Sequence, residues 1–196
     1  LFRFGVPFFF MASGYFFMAG VDKGKPAWQL WRSYAGRLLI LFVVWSAAYL
    51  LAQGGLRALS QGSVAGFTGY LDTKLSQAAS HPLSFVFEGT KEHLWFLPAL
   101  ISGLFLVTVF VTQRVSAWCA WLCVLTLYAA ALAGGSYAHT PLGFVSEFNL
   151  RNGPFVSSVY VWIGACFARG HAPMRTHAVA CALGGLALML AEAVIL

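Results

Sequence analysis

Long apolar windows separated by short polar breaks dominate the chain. Six of them stand out, at about 3–20, 36–53, 93–113, 117–134, 154–168 and from 177 to the end. None shows the apolar–polar alternation of a half-buried strand. At these lengths an apolar run predicts a helix able to cross a bilayer, where every backbone group must be satisfied within its own segment. The fifth window is the shortest and is followed by Arg169. The expected fold class is all-α, a polytopic transmembrane helical bundle of about six spans. Between the second and third windows lies a long mixed stretch, LRALSQGSVAGFTGYLDTKLSQAASHPLSFVFEG, which predicts a short interfacial helix around 69–79.

Charge then orients the windows. The short connections after the first, third and fifth windows carry Lys23, Lys25, Arg32, Arg114, Arg169 and Arg175. The two longer connections carry Arg57, Lys74, Lys91 and Arg151. Basic residues concentrate in loops that stay in the cytoplasm, so the short loops are expected inside and the long ones outside. Trp28, Trp31, Trp95, Trp118 and Tyr137 fall near the resulting interfaces, where amphipathic rings are favoured.

Composition agrees with this picture and removes others. Of 196 residues, 60% are hydrophobic and 9% charged, too few charges to cover a folded surface in water, where about a quarter is usual. The formal charge of +6 is explained by the loops, so nucleic acid is not an expected partner. Cys119, Cys123, Cys166 and Cys181 lie inside apolar runs and read as small packing residues. No metal site is expected, and there is no nucleotide loop or nucleophile elbow. The chain starts and stops inside apolar stretches without an initiating Met, which reads as a fragment truncated at both ends.

Polar groups inside lipid are costly, so each asks for a reason. In the first window Pro7 and the pair Ser13–Gly14 interrupt a Phe-rich helix, either as a kink packed on a neighbour or as a broken helix lining a cavity. Arg32 and Arg37 stand five apart at the cytoplasmic start of the second window. They serve either as topology signal and headgroup contact or as a phosphate site, since the planar guanidinium matches phosphate oxygens. Glu92 and His93, with Trp95, open the third window on the outer side and could orient a sugar hydroxyl. Glu147, Arg151 and Asn152 precede the fifth window on the same side, as a surface pair or as part of one site. Glu192 lies about fifteen residues into the last window, roughly 22 Å from its cytoplasmic end. It faces a polar cavity, or that window is no simple span.

Four stretches taken together, FRFGVPFFFMASGYFF, YAGRLLILFVVWSAAY, HLWFLPALI and RNGPFVSSVYVWIGACFAR, resemble the acyltransferase 3 family in order and over nearly the whole chain. The resemblance implies one integral membrane domain, of which residues 1–196 form part, in the bacterial inner membrane. It implies an O-acyltransferase moving an acyl group, acetyl above all, from cytoplasmic acyl-CoA to a hydroxyl of a surface polysaccharide or lipid-linked sugar, with no bound cofactor. Phe10, Ser13 and Gly14 match the family's FxxSG element. Arg37 and Arg32 take the acyl-CoA role, standing five apart where the family often has two Arg three apart. Arg3, Glu92, His93, Trp95, Arg151 and Asn152 are the acceptor-site candidates. The family's catalytic His belongs to a span upstream of residue 1, so no catalytic residue is assigned here and the chain alone is expected to be inactive. The alternatives are a transporter or flippase without acyl chemistry, built on interrupted helices and midplane polar groups, and a structural or sensory membrane domain.

Overall fold

The computed structural model describes residues 5–170 apart from 91, 136, 139, 142, 147 and 151. Arg3, Glu147, Arg151 and Arg175, and the sixth window with Cys181 and Glu192, lie outside the described residues. The described residues form seven α-helices and one 3-10 turn, and no strand occurs among them. They are α1 (Gly5–Asp22), α2 (Ala27–Gln61), α3 (Ala65–Ser80), α4 (Pro82–Glu88), the 3-10 turn Glu92–Trp95, α5 (Phe96–Thr112), α6 (Ala117–Ala133) and α7 (Pro154–Ala168). The all-helical reading is thereby met, and five of the six apolar windows coincide with α1, α2, α5, α6 and α7.

Local chemistry sets the helix ends. Between Gly5 and Asp22 the helix α1 is continuous through Pro7 and through Ser13–Gly14, so it does not divide there. Gly62 ends α2 in the left-handed region at φ 59°, and the next amide, of Ser63, closes on the Ala58 carbonyl at 3.1 Å. Ser116 caps α6 by accepting from the Cys119 amide at 3.3 Å. Pro154 opens α7 directly after Gly153, whose φ of 71° and ψ of −148° suit glycine alone.

Three helices run in the same direction. Phe10 of α1 meets Trp95, just before α5, at 6.3 Å between ring centroids. Ser157, near the start of α7, bonds to Ala99, near the start of α5. At the far end Asp22, closing α1, pairs with Arg169, just past α7, at 3.2 Å. So α1, α5 and α7 share a start end and a finish end. Lys23, Lys25, Arg114 and Arg169 follow these three helices, and the finish end is therefore the basic end. The return helix α6 packs against α7 in the opposite direction, through Trp121 with Trp162 and Tyr128 with Tyr160.

Helices α1 and α7 touch through glycine. A Cβ built on Gly14 would overlap the Val161 carbonyl oxygen, and one on Gly164 would overlap the Met11 carbonyl oxygen. Small residues let two backbones approach this closely, the packing device favoured where hydrocarbon surrounds both helices. Around this crossing the buried side chains of Phe10, Phe17, Leu100, Leu104, Val107 and Val161 form the core.

Helix α2 behaves differently. It is 35 residues long, about 52 Å at the α-helical rise. Its first turns pack into the bundle: Leu30 lies against Gly20, and Tyr34 meets Phe17 at 6.1 Å. Beyond them one side of it keeps to the bundle, with Leu38 on the core and Phe42 against Gly89, while Leu39, Ile40, Val43 and Val44 are all more than half exposed. It is the one helix among the described residues that is long and apolar enough to cross a membrane by length and composition. Helices α1, α5, α6 and α7 are 18, 17, 17 and 15 residues long. A helix does cover the stretch 69–79, namely α3, and it folds back on the second half of α2. Phe67 sits on Gly54, Tyr70 bonds to Gln53 at 3.3 Å, and the Arg57 guanidinium lies 4.5 Å above the Tyr70 ring centre.

Candidate functional site

Polar groups gather at two places, one at each end of the bundle. The start end is built from segments far apart in sequence. The 3-10 turn Glu92–Trp95 leads straight into α5. Asn152 and Gly153 lead straight into α7. The Ser157 hydroxyl donates to the Ala99 carbonyl at 2.6 Å and to the Gly153 carbonyl at 2.9 Å. Trp95 and Gly153 each lie four residues, one helical turn, before this tie, so the two entry segments are held side by side. The end of α4 closes the cluster, because the Phe87 ring meets Phe148 at 5.6 Å and lies against Gly153. Thr90, in the same connection, donates its hydroxyl to the Ser46 carbonyl of α2 at 2.9 Å.

Of the acceptor-site candidates, Trp95 and Asn152 are thereby brought to one end. Trp95 is half-buried, with Phe10 of the FxxSG element edge-on to its ring. Asn152 is 2% exposed, and its backbone N–H donates to the Asn149 backbone carbonyl at 2.9 Å. Glu92 and His93 enter the description through their backbone, as part of the 3-10 turn. Arg3 and Arg151 fall outside the described residues. In the FxxSG element Phe10 is buried with its ring on Trp95, Gly14 is buried against α7, and Ser13 is half-buried.

The basic end presents the other group. Helix α2 starts at Ala27, so Arg32 and Arg37 both project from a formed helix and both are exposed; Arg32 lies in the second turn, and Arg37, beyond the Tyr34–Phe17 contact, is level with the middle of α1. Behind them Trp31 donates its indole N–H to the Ile101 carbonyl of α5 at 3.1 Å. Trp28 stacks on Trp31 with centroids 4.9 Å apart and planes 27° apart. The acid nearest in sequence, Asp22, is engaged by Arg169. The arrangement offers cationic groups to an anion without a carboxylate of α1 opposing them.

Sequence reasoning did not single out Ser157, Thr90 or Asp22. A serine pair inside an apolar window just after Pro154 was the available signal for Ser157, since a hydroxyl in such surroundings needs a partner. Nothing local marked Thr90 or Asp22, whose partners are 44 and 147 positions away. Among the described residues no group of His, Cys, Asp and Glu is placed to hold a metal ion.

Against known families, the model described as an acyltransferase domain, of the acyltransferase 3 type, matches residues 1–193. No curated protein and no solved structure matches the chain.

Proposed function

Since this chain belongs to the acyltransferase 3 family, we propose that it is a multi-pass enzyme of the bacterial inner membrane that moves an acyl group, acetyl in the simplest case, from cytoplasmic acyl-CoA to a hydroxyl of a cell-envelope glycan. The observation that carries this reading is the separation of polar groups along the bundle. Exposed Arg32 stands in the second turn of α2, toward the basic end, with exposed Arg37 further along the same helix and level with the middle of α1, and the half-buried Trp95 and buried Asn152 stand at the other end. A donor from one compartment and an acceptor from the other need two such ends.

In this reading the six apolar windows are six spans of one acyltransferase domain, with the basic loops in the cytoplasm. Arg37, with Arg32, holds the phosphates of CoA through charge-assisted hydrogen bonds. Trp95 and Asn152 bound the acceptor site, with Arg3, Glu92, His93 and Arg151 as its further members. Phe10 and Gly14 seat α1 against its neighbours, Phe10 on Trp95 and Gly14 on α7. The transfer joins the acceptor oxygen to the acyl carbon and breaks the thioester carbon–sulfur bond. The hydroxyl proton leaves with the thiol of CoA. No residue of residues 1–196 is assigned the role of base, and no bound cofactor or metal is required.

The test is transfer from radiolabelled acetyl-CoA to envelope material by membranes carrying the full-length gene product and its Arg37→Ala variant. Loss of one charged hydrogen-bonding partner is worth about 1.5–3 kcal/mol, so transfer falls on the order of tenfold to a hundredfold while insertion is unchanged. Normal transfer by Arg37→Ala removes the CoA site from this position. Translocation of a solute with no thioester cleavage places the protein with transporters instead.

A further inference from the structure

The stack at the base of α2 has one surface that the phosphate site leaves unused. Trp31 is fixed from two directions, by its bond to the Ile101 carbonyl at 3.1 Å and by the Phe105 ring at 5.3 Å. Trp28 rests on this backing at 4.9 Å, with Phe105 edge-on at 6.0 Å. One face of the Trp28 indole is covered by Trp31, yet Trp28 is 44% exposed. Its open face and edge therefore look outward from a rigid support. Arg32 follows Trp28 by four residues, so the two share one side of α2. Lys25 is exposed three residues before Trp28, and Asp22 is held by Arg169.

A flat π surface flanked by cations suits a ligand that is both planar and anionic. An acyl chain would gain from the apolar area but not from the guanidinium. An inorganic anion would gain from the guanidinium but not from the ring. A phosphorylated purine nucleoside uses both, by base stacking and by charge-assisted bonds. We propose that Trp28 is a stacking site for the adenine of the nucleotide end of CoA, with Arg32 placed for its phosphate. This rests on the acyl-CoA reading above and extends it from phosphates to base.

The test uses the full chain in lipid nanodiscs, with CoA, adenosine 3′,5′-bisphosphate and pantetheine as probes. Trp28→Leu is expected to weaken adenosine 3′,5′-bisphosphate and CoA about tenfold, the usual scale for one base stacked on one aromatic ring, and to leave pantetheine unchanged. Trp28→Phe keeps a π face and recovers most of the affinity. A photoreactive 8-azidoadenosine 3′,5′-bisphosphate labels the segment around Trp28 in the unaltered chain, which tests the site even if the Leu variant misfolds. CoA binding that is unchanged in Trp28→Leu, or a photolabel placed elsewhere, overturns the stacking site, leaves the arginine site standing and makes Trp28 a lipid-interface anchor. Absence of any CoA binding by the unaltered chain overturns both.

Discussion

Gly14 of α1 lies directly on the Val161 carbonyl of α7, with no room for a single methyl group between them. Gly164 makes the reciprocal approach to the Met11 carbonyl. The obstacle in each case is backbone within a helix, which cannot rotate away. Gly14→Ala and Gly164→Ala are each expected to destabilise the fold by about 1–3 kcal/mol, the scale of overpacking. At Gly54 the obstacle is the Phe67 ring, and at Gly36 nothing lies within 4 Å. Gly54→Ala should cost less, and Gly36→Ala should be neutral or stabilise by up to about 1 kcal/mol through helix propensity. Thermal unfolding in detergent, followed by circular dichroism, ranks the four. A Gly36→Ala cost as large as that of Gly14→Ala would remove the packing explanation.

The adjacent serines of α7 differ in the same measurable way. Ser157 bonds to two carbonyls, whereas the buried Ser158 hydroxyl has no partner among the described residues. Ser157→Ala is expected to cost about 1 kcal/mol. It should also loosen the start end, read as faster hydrogen exchange across 92–95 and 152–155. Ser158→Ala should be neutral or slightly stabilising, because it removes a buried hydroxyl that makes no bond. Equal effects of the two variants would contradict the tie between α5 and α7.

The Asp22–Arg169 pair joins the finish ends of α1 and α7, but its side chains are 40% and 39% exposed. Solvent screens such a pair, so Asp22→Asn should cost no more than about 1 kcal/mol. That cost should shrink further in high salt. A loss of several kcal/mol, measured by the same melts, would mean that the pair is buried by something else in the membrane.

Orientation can be read by chemistry. Lys23 and Gln77 are both exposed, at the basic end and on the outer face of α3. In a Cys119→Ser background, a membrane-impermeant maleimide should label Gln77→Cys in intact spheroplasts. It should label Lys23→Cys only after permeabilisation. The reverse pattern would turn the bundle over and take Arg32 and Arg37 away from cytoplasmic CoA.

Arg37 also separates charge from geometry. Arg37→Lys retains a cation but loses the planar fork that grips a phosphate with two parallel bonds. Acyl transfer by Arg37→Lys is expected between that of the unaltered protein and that of Arg37→Ala, with the change in KM for acetyl-CoA rather than in kcat. A fall in kcat at constant KM would move Arg37 from donor binding to the chemical step.

The apolar windows by themselves determined the class of structure and the places of its main helices. The run 154–168 is α7, 117–134 matches α6 to within one residue, and 93–113 covers α5 and all but the first residue of the 3-10 turn. This was legible because a helix satisfies its own backbone and because Gly, Pro and Ser mark its ends locally. The second window showed only the apolar middle of α2, since hydropathy reports what surrounds a helix and not how far the hydrogen-bond ladder continues. The motif FxxSG was visible too, but its Ser13–Gly14 pair reads in the sequence only as an interruption of the helix, with no partner named. Only the tertiary structure decided that the partner is α7, that Ser157 ties α7 to α5, and that Trp28 stands open on Trp31 beside Arg32. Each of these depends on which helices lie side by side. Among helices of similar apolar composition, that choice is made by shape, where small residues let backbones meet and polar groups find partners, and shape is a property of the packed chain.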